Sequence, residues 1–167
     1  MDIRIAGTVE DSIVDGPGLR FVVFVQGCPH HCEGCHNPET HDFSAGKLTT
    51  TDALYEMCME NPLCSGVTFS GGEPFCQPEA LYELGSRFKA AGKHLMCYSG
   101  WTFEELLKKS GREEYVGKLL SILDVLVDGR FDISKRSLSL LFRGSSNQRL
   151  IDVPASLSKG EAVELPE

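Results

Sequence analysis

Three cysteines stand at positions 28, 32 and 35, in the run Gly27-Cys28-Pro29-His30-His31-Cys32-Glu33-Gly34-Cys35-His36-Asn37-Pro38. Thiolates this close together can converge on one metal centre if the backbone between them turns back on itself. Pro29 and Gly34 disfavour a continuous helix, so the spacing predicts a tight loop. Amide N–H groups pointing into such a loop stabilise negative charge on the sulfurs of a cluster. A structural iron–sulfur cluster is usually held by four protein ligands, so three cysteines leave one iron open, as a catalytic zinc site leaves a position open for substrate. The alternative is a closed zinc site of three cysteines and one histidine, for which His30, His31, His36 and His41 are all near. The other four cysteines, Cys58, Cys64, Cys76 and Cys97, do not repeat this spacing and read mostly as small buried hydrophobes.

A second segment able to meet a ligand is Val67-Thr68-Phe69-Ser70-Gly71-Gly72-Glu73-Pro74, an apolar strand running into two glycines and a carboxylate. Gly71 and Gly72 let the backbone approach a ligand within hydrogen-bonding distance, and Glu73 carries charge suited to an ammonium group. Taken alone, the same residues also describe an ordinary strand-to-helix turn with Glu73 near the helix start.

Both segments need a frame. Residues 19–25 are apolar and rich in β-branched and aromatic side chains, and they follow the turn signal Asp15-Gly16-Pro17-Gly18, which predicts a buried strand. Thr49, Thr50, Thr51 and Asp52 offer caps to a helix carrying Leu54, Met57 and Cys58, which ends at Asn61-Pro62 before a strand over 66–69. Leu81, Leu84 and Phe88 have helical spacing and lead past Gly92 to a strand over 94–98. Thr102 can cap a helix with Phe103, Leu106 and Leu107; a further helix over 115–120 and a strand over 122–127 follow. Strands apolar on both faces that alternate with helices imply a mainly parallel sheet. Four or five β-α units fit the length, whereas a closed eight-stranded barrel takes about 250 residues, so the expected α/β architecture is an open, partial (β/α) barrel. In such a sheet the glycine loop falls at a strand's C-terminal end, where ligand sites gather.

With 167 residues and 41% hydrophobic content, the chain has material for one core, expected over residues 1–153 with a polar, loosely held tail over 154–167. A formal net charge of -8 argues against a broad nucleic-acid-binding surface. No apolar run is long enough to span a bilayer, and Asp2 and Arg4 interrupt any signal-peptide core, so the expected compartment is the cytoplasm. Thiols are kept reduced there, and seven cysteines then raise the question of metal binding before disulfides.

The cysteine spacing followed by a strand ending in Gly-Gly-Glu-Pro resembles the radical S-adenosylmethionine enzymes. The stretch from Val14-Asp15-Gly16-Pro17-Gly18-Leu19-Arg20-Phe21 through Cys35-His36-Asn37-Pro38 is similar to the glycyl-radical-enzyme activases among them. Gly34, directly before the third cysteine, departs from the formate-lyase branch and resembles the branch that serves the anaerobic ribonucleoside-triphosphate reductase. Three further segments resemble that branch: 98–106 (from Tyr98-Ser99-Gly100-Trp101), 124–131 (around Asp128-Gly129-Arg130) and 143–149 (from Arg143 to Arg149).

The resemblance implies a [4Fe–4S] cluster on Cys28, Cys32 and Cys35, with S-adenosyl-L-methionine at the open iron. It implies that Gly71, Gly72 and Glu73 form the loop meeting the cofactor's amino group. Gly34, Cys35 and His36 would lie against the cofactor, and Tyr98 and Ser99 would approach its ribose or adenine. The implied activity is radical generation on a glycine of the reductase, with electrons from a flavodoxin or ferredoxin. Other radical enzymes on the same scaffold, including activases of different partners, and a non-catalytic zinc module are the alternatives.

Arg130, Lys135, Arg136, Arg143 and Arg149 gather in one stretch of an otherwise acidic chain, with Asp132 as the only acid between 130 and 149. This reads either as a docking face, with Arg143, Asn147 and Arg149 as its candidates, or as a solvated loop. Asp128 either orients the cofactor or holds structure by hydrogen bonds. Trp101 reads as a packing residue.

Overall fold

The computed structural model describes residues 1–166 and arranges them around a single seven-stranded sheet. The strands β1 (Asp2–Ser12) and β2 (Arg20–Val25) form an antiparallel hairpin, and β3 (Lys47–Thr50) adds antiparallel to the outer side of β1. From β2 inward the sheet is parallel, through β4 (Gly66–Gly71), β5 (His94–Tyr98) and β6 (Val125–Asp128), and β7 (Arg149–Asp152) closes the far edge antiparallel to β6. The order is β3-β1-β2-β4-β5-β6-β7, an open, mainly parallel α/β sheet as the alternation of elements implies.

The helices α1 (Thr51–Met59), α2 (Pro78–Ala90), α3 (Phe103–Ser110) and α4 (Glu114–Ile122) cover one face. Phe21, Val23 and Val25 of β2 meet Leu54, Leu81, Leu84 and Phe88 there, with Val67, Phe69, Leu95 and Leu126 from the neighbouring strands. Each such side chain removed from water contributes about 1.5–3 kcal/mol, enough to fix which face the helices take. The alternate residues point the other way: Met96, Val125, Val127 and Leu150 form a separate apolar cluster with Tyr98 and Phe142 on the inner face.

Local chemistry sets the helix ends. Thr50 accepts a hydrogen bond from the Ala53 amide at the start of α1, and Thr102 makes a reciprocal capping box with Glu105 at the start of α3. The strand expected over 122–127 begins only at Val125, because Ile122 completes α4 and Asp124 turns the chain. Its carboxylate accepts from the Leu95 amide at 2.8 Å and pairs with Lys89.

Two regions depart from the sequence reading. β1 has eleven residues where no strand is evident: Ile3 and Ile5 are buried, but the outer half of the strand is largely exposed and its apolar alternation is short. Residues 154–167 are expected to be loosely held, but the chain is tied down as far as Leu165. Asp152 caps α5 (Val153–Lys159) by accepting from the Ala155 amide, and the helix stops at Gly160 in the left-handed region (φ 79°). Ser156 is buried and accepts from the Val163 amide at 2.8 Å, and the Leu165 amide donates to the Leu150 carbonyl at 2.8 Å. Among the described residues, no helix is long and apolar enough to cross a membrane.

Candidate functional site

The C-terminal ends of β2, β4, β5 and β6 open onto a cavity of about 520 Å³ on the inner face of the sheet. Cys28, Cys32 and Cys35 all border it, as do Gly71, Gly72, Tyr98 and Ser99. The two segments singled out by their chemistry thus face one space, although more than thirty residues of chain separate Cys35 from Gly71.

The cysteine loop, leaving β2, is anchored at its entrance by the amides of Gly27 and Cys28, which donate to the carbonyls of Thr40 and His41 at 2.7 and 3.2 Å. Further on, the Cys35 amide donates to the Cys32 carbonyl at 3.1 Å and the Asn37 amide donates to the Cys35 thiol at 3.4 Å. Burial pushes the Cys28 and Cys32 thiols above the ordinary cysteine range, opposed at Cys28 by the backbone amide of His30 and at Cys32 by that of Phe131. Gly72 brings the second loop against the first: a Cβ there would collide with the Gly27 carbonyl, and the Glu73 amide donates to that same oxygen at 2.8 Å.

The Glu73 carboxylate does not border the cavity. It is 1% exposed and is surrounded by donors from the chain itself. Oε1 accepts from His30 Nε2 at 2.7 Å and from the Gly100 amide at 2.7 Å, Ser99 Oγ lies 3.0 Å from both oxygens, and Oε2 accepts from the Phe75 amide at 3.0 Å. It thereby caps the short 3-10 turn Pro74–Cys76, the ordinary role open to it in the sequence, and holds the loop after β4 to the loop after β5. The free face of the glycine loop is its backbone at Gly71 and Gly72.

The remaining expected site residues divide. Cys35 and His36 border the cavity; Gly34 does not, packing instead beneath Ile133 and Phe131. Tyr98 borders it while its hydroxyl donates to the Phe142 carbonyl at 2.7 Å. Of the three docking candidates, Arg143 is at the cavity wall, whereas Asn147 is exposed and donates to the Arg130 carbonyl at 2.8 Å. Arg149 is engaged: its guanidinium donates to Asp128 at 2.5 and 3.0 Å and to Glu104 at 2.6 Å, and these bonds raise its pKa further. Asp128, 1% exposed, also accepts from the Phe103 amide at 2.7 Å, so its carboxylate fastens α3 to the sheet edge. Trp101 packs against the main core as expected. Cys58, Cys64 and Cys97 are buried and Cys76 half-buried, all outside the cavity wall.

Arg149→Met is therefore expected to cost about 2 kcal/mol, since it strips hydrogen bonds to a charged acceptor while the partly exposed arginine side keeps some solvent compensation. Thermal unfolding of the variant checks this, and a melting temperature unchanged from wild type would refute the structural role.

Sequence reasoning did not foresee several wall residues. Val14 and Asp15 come from the β1–β2 turn, Phe131 and Phe142 from the polar stretch after β6, and Gln148 from just before β7. Their segments carry turn signals or the family resemblance, but their place at the wall is set by tertiary packing.

The cavity fits a cluster-bound small molecule. Three thiols of one loop border it, Phe24, Phe131 and Phe142 supply apolar wall, and His41 at its edge has a buried Nε2 without a hydrogen-bond partner among the described residues. Among those residues no three Cys, His, Asp or Glu side chains form a ready-made single-ion site. The volume lies in the range of small-molecule sites, roughly 300–1,000 Å³.

Residues 14–151 match the family described as 4Fe-4S single cluster domain. The anaerobic ribonucleoside-triphosphate reductase-activating protein of Enterobacteria phage T4 is 34% identical over 143 residues, covering 82% of this chain and 86% of its own. Its counterpart from Haemophilus influenzae is 34% identical over 146 residues, 81% of this chain and 89% of that one. The pyruvate formate-lyase-activating enzyme of Clostridium pasteurianum is 40% identical over 114 residues, 63% of this chain but 48% of that enzyme. The crystal structure of QueE from Escherichia coli matches with a TM-score of 0.51 at 18% identity, over 61% of this chain and 54% of that one, a likeness of fold alone. With the family match spanning most of its length, the chain belongs to the 4Fe-4S single cluster domain family, and with the reductase-activating proteins it is an activating enzyme of the radical S-adenosylmethionine type.

Proposed function

We propose that this protein activates an anaerobic ribonucleoside-triphosphate reductase by generating a glycyl radical on it. The observation that carries this reading is the convergence of Cys28, Cys32 and Cys35 with the Gly71-Gly72 backbone on one cavity at the C-terminal end of a parallel sheet. In this reading the three thiolates hold a [4Fe–4S] cluster and leave one iron to S-adenosylmethionine. The chemistry such a cluster supplies when bound is one-electron reduction of the cofactor's sulfonium, whose cleavage provides the radical that takes hydrogen from a glycine Cα. Glycine suits the role because it lacks Cβ, so its backbone can approach closely and the radical spreads into both adjacent amides.

The chain's own part is placement. The turn at Gly71 and Gly72 brings backbone within reach of the cofactor's amino group, and the Glu73 carboxylate acts one step back by fixing that turn to Ser99 and Gly100. Tyr98 and Ser99 at the wall would meet the ribose or adenine, and Cys35 and His36 would lie against the cofactor. Phe24, Phe131 and Phe142 keep water from the reacting centre. Arg143, at the cavity wall, is the candidate suited to meeting the protein substrate, while Asn147 bonds to the Arg130 carbonyl and Arg149 to Asp128. The electron comes from a flavodoxin or ferredoxin type carrier, and the setting is the reducing cytoplasm, where seven free thiols persist.

The test is anaerobic reconstitution with iron and sulfide, reduction, and addition of S-adenosylmethionine with a purified anaerobic reductase or a formate lyase in parallel. A glycyl-radical signal in electron paramagnetic resonance on the reductase alone is expected. 5'-Deoxyadenosine with a radical only on the lyase would reassign the partner, and one tightly bound zinc with neither product would overturn the enzyme reading.

A further inference from the structure

We infer that His30 is a positioning residue that locks the cysteine loop onto the glycine loop, and that Arg130 sets the hydrogen-bonding state in which it does so. This rests on the reading of Cys28, Cys32 and Cys35 as the cluster loop. His30 lies between the first two cysteines, and its side chain is 5% exposed. A guanidinium can only donate, so Arg130 Nε, 3.2 Å from His30 Nδ1, makes that nitrogen the acceptor. The ring hydrogen then belongs to Nε2, which points at Glu73 Oε1 over 2.7 Å. The chain Arg130–His30–Glu73 is therefore directional, each member using the face the next requires.

The ring is also shaped to its place. It meets Trp101 edge-on at 4.8 Å, and its carbon edge lies so close to Gly100 that a Cβ there would collide with it. One side chain thus joins the cysteine loop to the ends of β4, β5 and β6. The consequence of losing it is asymmetric. Glu73 would keep Ser99 and the amides of Gly100 and Phe75, so the loops after β4 and β5 stay fastened to each other. The cysteine loop, held at its entrance by the Gly27 and Cys28 amides and by the Glu73 amide on the Gly27 carbonyl, would lose its side-chain tie to both beyond that entrance.

Three variants of the full chain test this: His30→Phe, which keeps ring packing and removes both hydrogen bonds; His30→Gln, which keeps a donor in reach of Glu73; and Arg130→Ala. Before reconstitution, amide hydrogen exchange over residues 29–35 is expected to quicken about tenfold in His30→Phe with the strands unchanged, local opening being separable from global unfolding. After reconstitution, anaerobic release of iron to a chelator is expected to quicken at least about tenfold, the usual scale for partners behind metal ligands. Glutamine is expected to restore both. Loop exchange and iron release equal to wild type in His30→Phe would overturn the inference. If that variant exchanges faster throughout the sheet, Arg130→Ala decides: faster exchange confined to 29–35 supports the lock, and an unchanged loop overturns it. A wild-type chain that takes up no cluster would instead refute the cluster reading, leaving the exchange result to judge the lock separately.

Discussion

Cys32→Ala should abolish 5'-deoxyadenosine formation by the reconstituted chain while leaving its melting temperature close to wild type. The thiol is half-buried in a loop and makes no part of either apolar cluster, so its removal leaves the packing behind β2 and β4 untouched. Surface-side substitutions of this kind change stability by about 0.5 kcal/mol or less. Cys28, 9% exposed at the loop entrance, would confound the two effects, which is why Cys32 is the sharper test. A ligand must shed its proton, and burial raises the Cys32 thiol above the ordinary range, so a bound centre must offset that cost. Cys76→Ala is the control: that thiol is pushed up to about 12 by burial and lies outside the cavity wall, and its removal should leave both iron content and product intact. Chromatography of the nucleoside alongside iron analysis reads the outcome. Product at the wild-type rate from Cys32→Ala would remove this thiol from the ligand set.

What the sequence disclosed of this site is what local spacing can carry. The cysteine loop, the two glycines and the caps at Thr50 and Thr102 are legible because each depends on residues a few positions apart. The bearing of Glu73 is not, since it is decided by His30, Ser99 and Gly100, which reach it from 43, 26 and 27 residues away. His30 read only as one of several histidines near a metal site; its tie to Arg130 spans 100 residues and leaves no local trace. The same holds for Arg149, which in sequence is one more cation in a basic stretch and in the fold is committed to Asp128 and Glu104. The strand β7 and helix α5 escaped notice because their polar groups are satisfied internally: Ser156 bonds to the Asp152 carbonyl at 2.6 Å and the Asp152 amide to the Val163 carbonyl at 2.9 Å. Polarity along the chain implies solvent only where such partners are missing.

Arg20 poses the same problem at the opposite end of the sheet, with a larger energetic consequence. It is the first residue of β2 and has no exposed surface, yet among the described residues no carboxylate bonds to it. Its donors go instead to neutral oxygens: Nε to the Thr68 hydroxyl at 2.8 Å, and the terminal nitrogens to the carbonyls of Pro17, Val67 and His94 at 2.9, 2.8 and 3.2 Å. Thr68 in turn donates to the Asp15 carbonyl at 2.8 Å, so the guanidinium pins the turn over residues 15–18 to the starts of β4 and β5. Gly66 must lack a Cβ for it to fit, because that atom would collide with the guanidinium. Burial lowers the Arg20 pKa, as expected for a cation removed from water, with Cys64, Asp124 and Asp15 opposing at longer range. Arg20→Met fills similar volume but leaves the hydroxyl and the Pro17 carbonyl without their donor, at about 1–3 kcal/mol for each buried group so abandoned. A total near 3 kcal/mol corresponds to a fall of roughly 6–12 °C in melting temperature for a chain of this size. Arg20→Lys, which retains the charge but not the fork of donors, should fall between the two. Because Val14 and Asp15 of the pinned turn border the cavity, the methionine variant should also bind S-adenosylmethionine more weakly when assayed below its melting point. Calorimetry of the three proteins settles the matter: a methionine variant as stable as wild type would mean that the buried cation contributes nothing net, its desolvation cancelling every bond it makes.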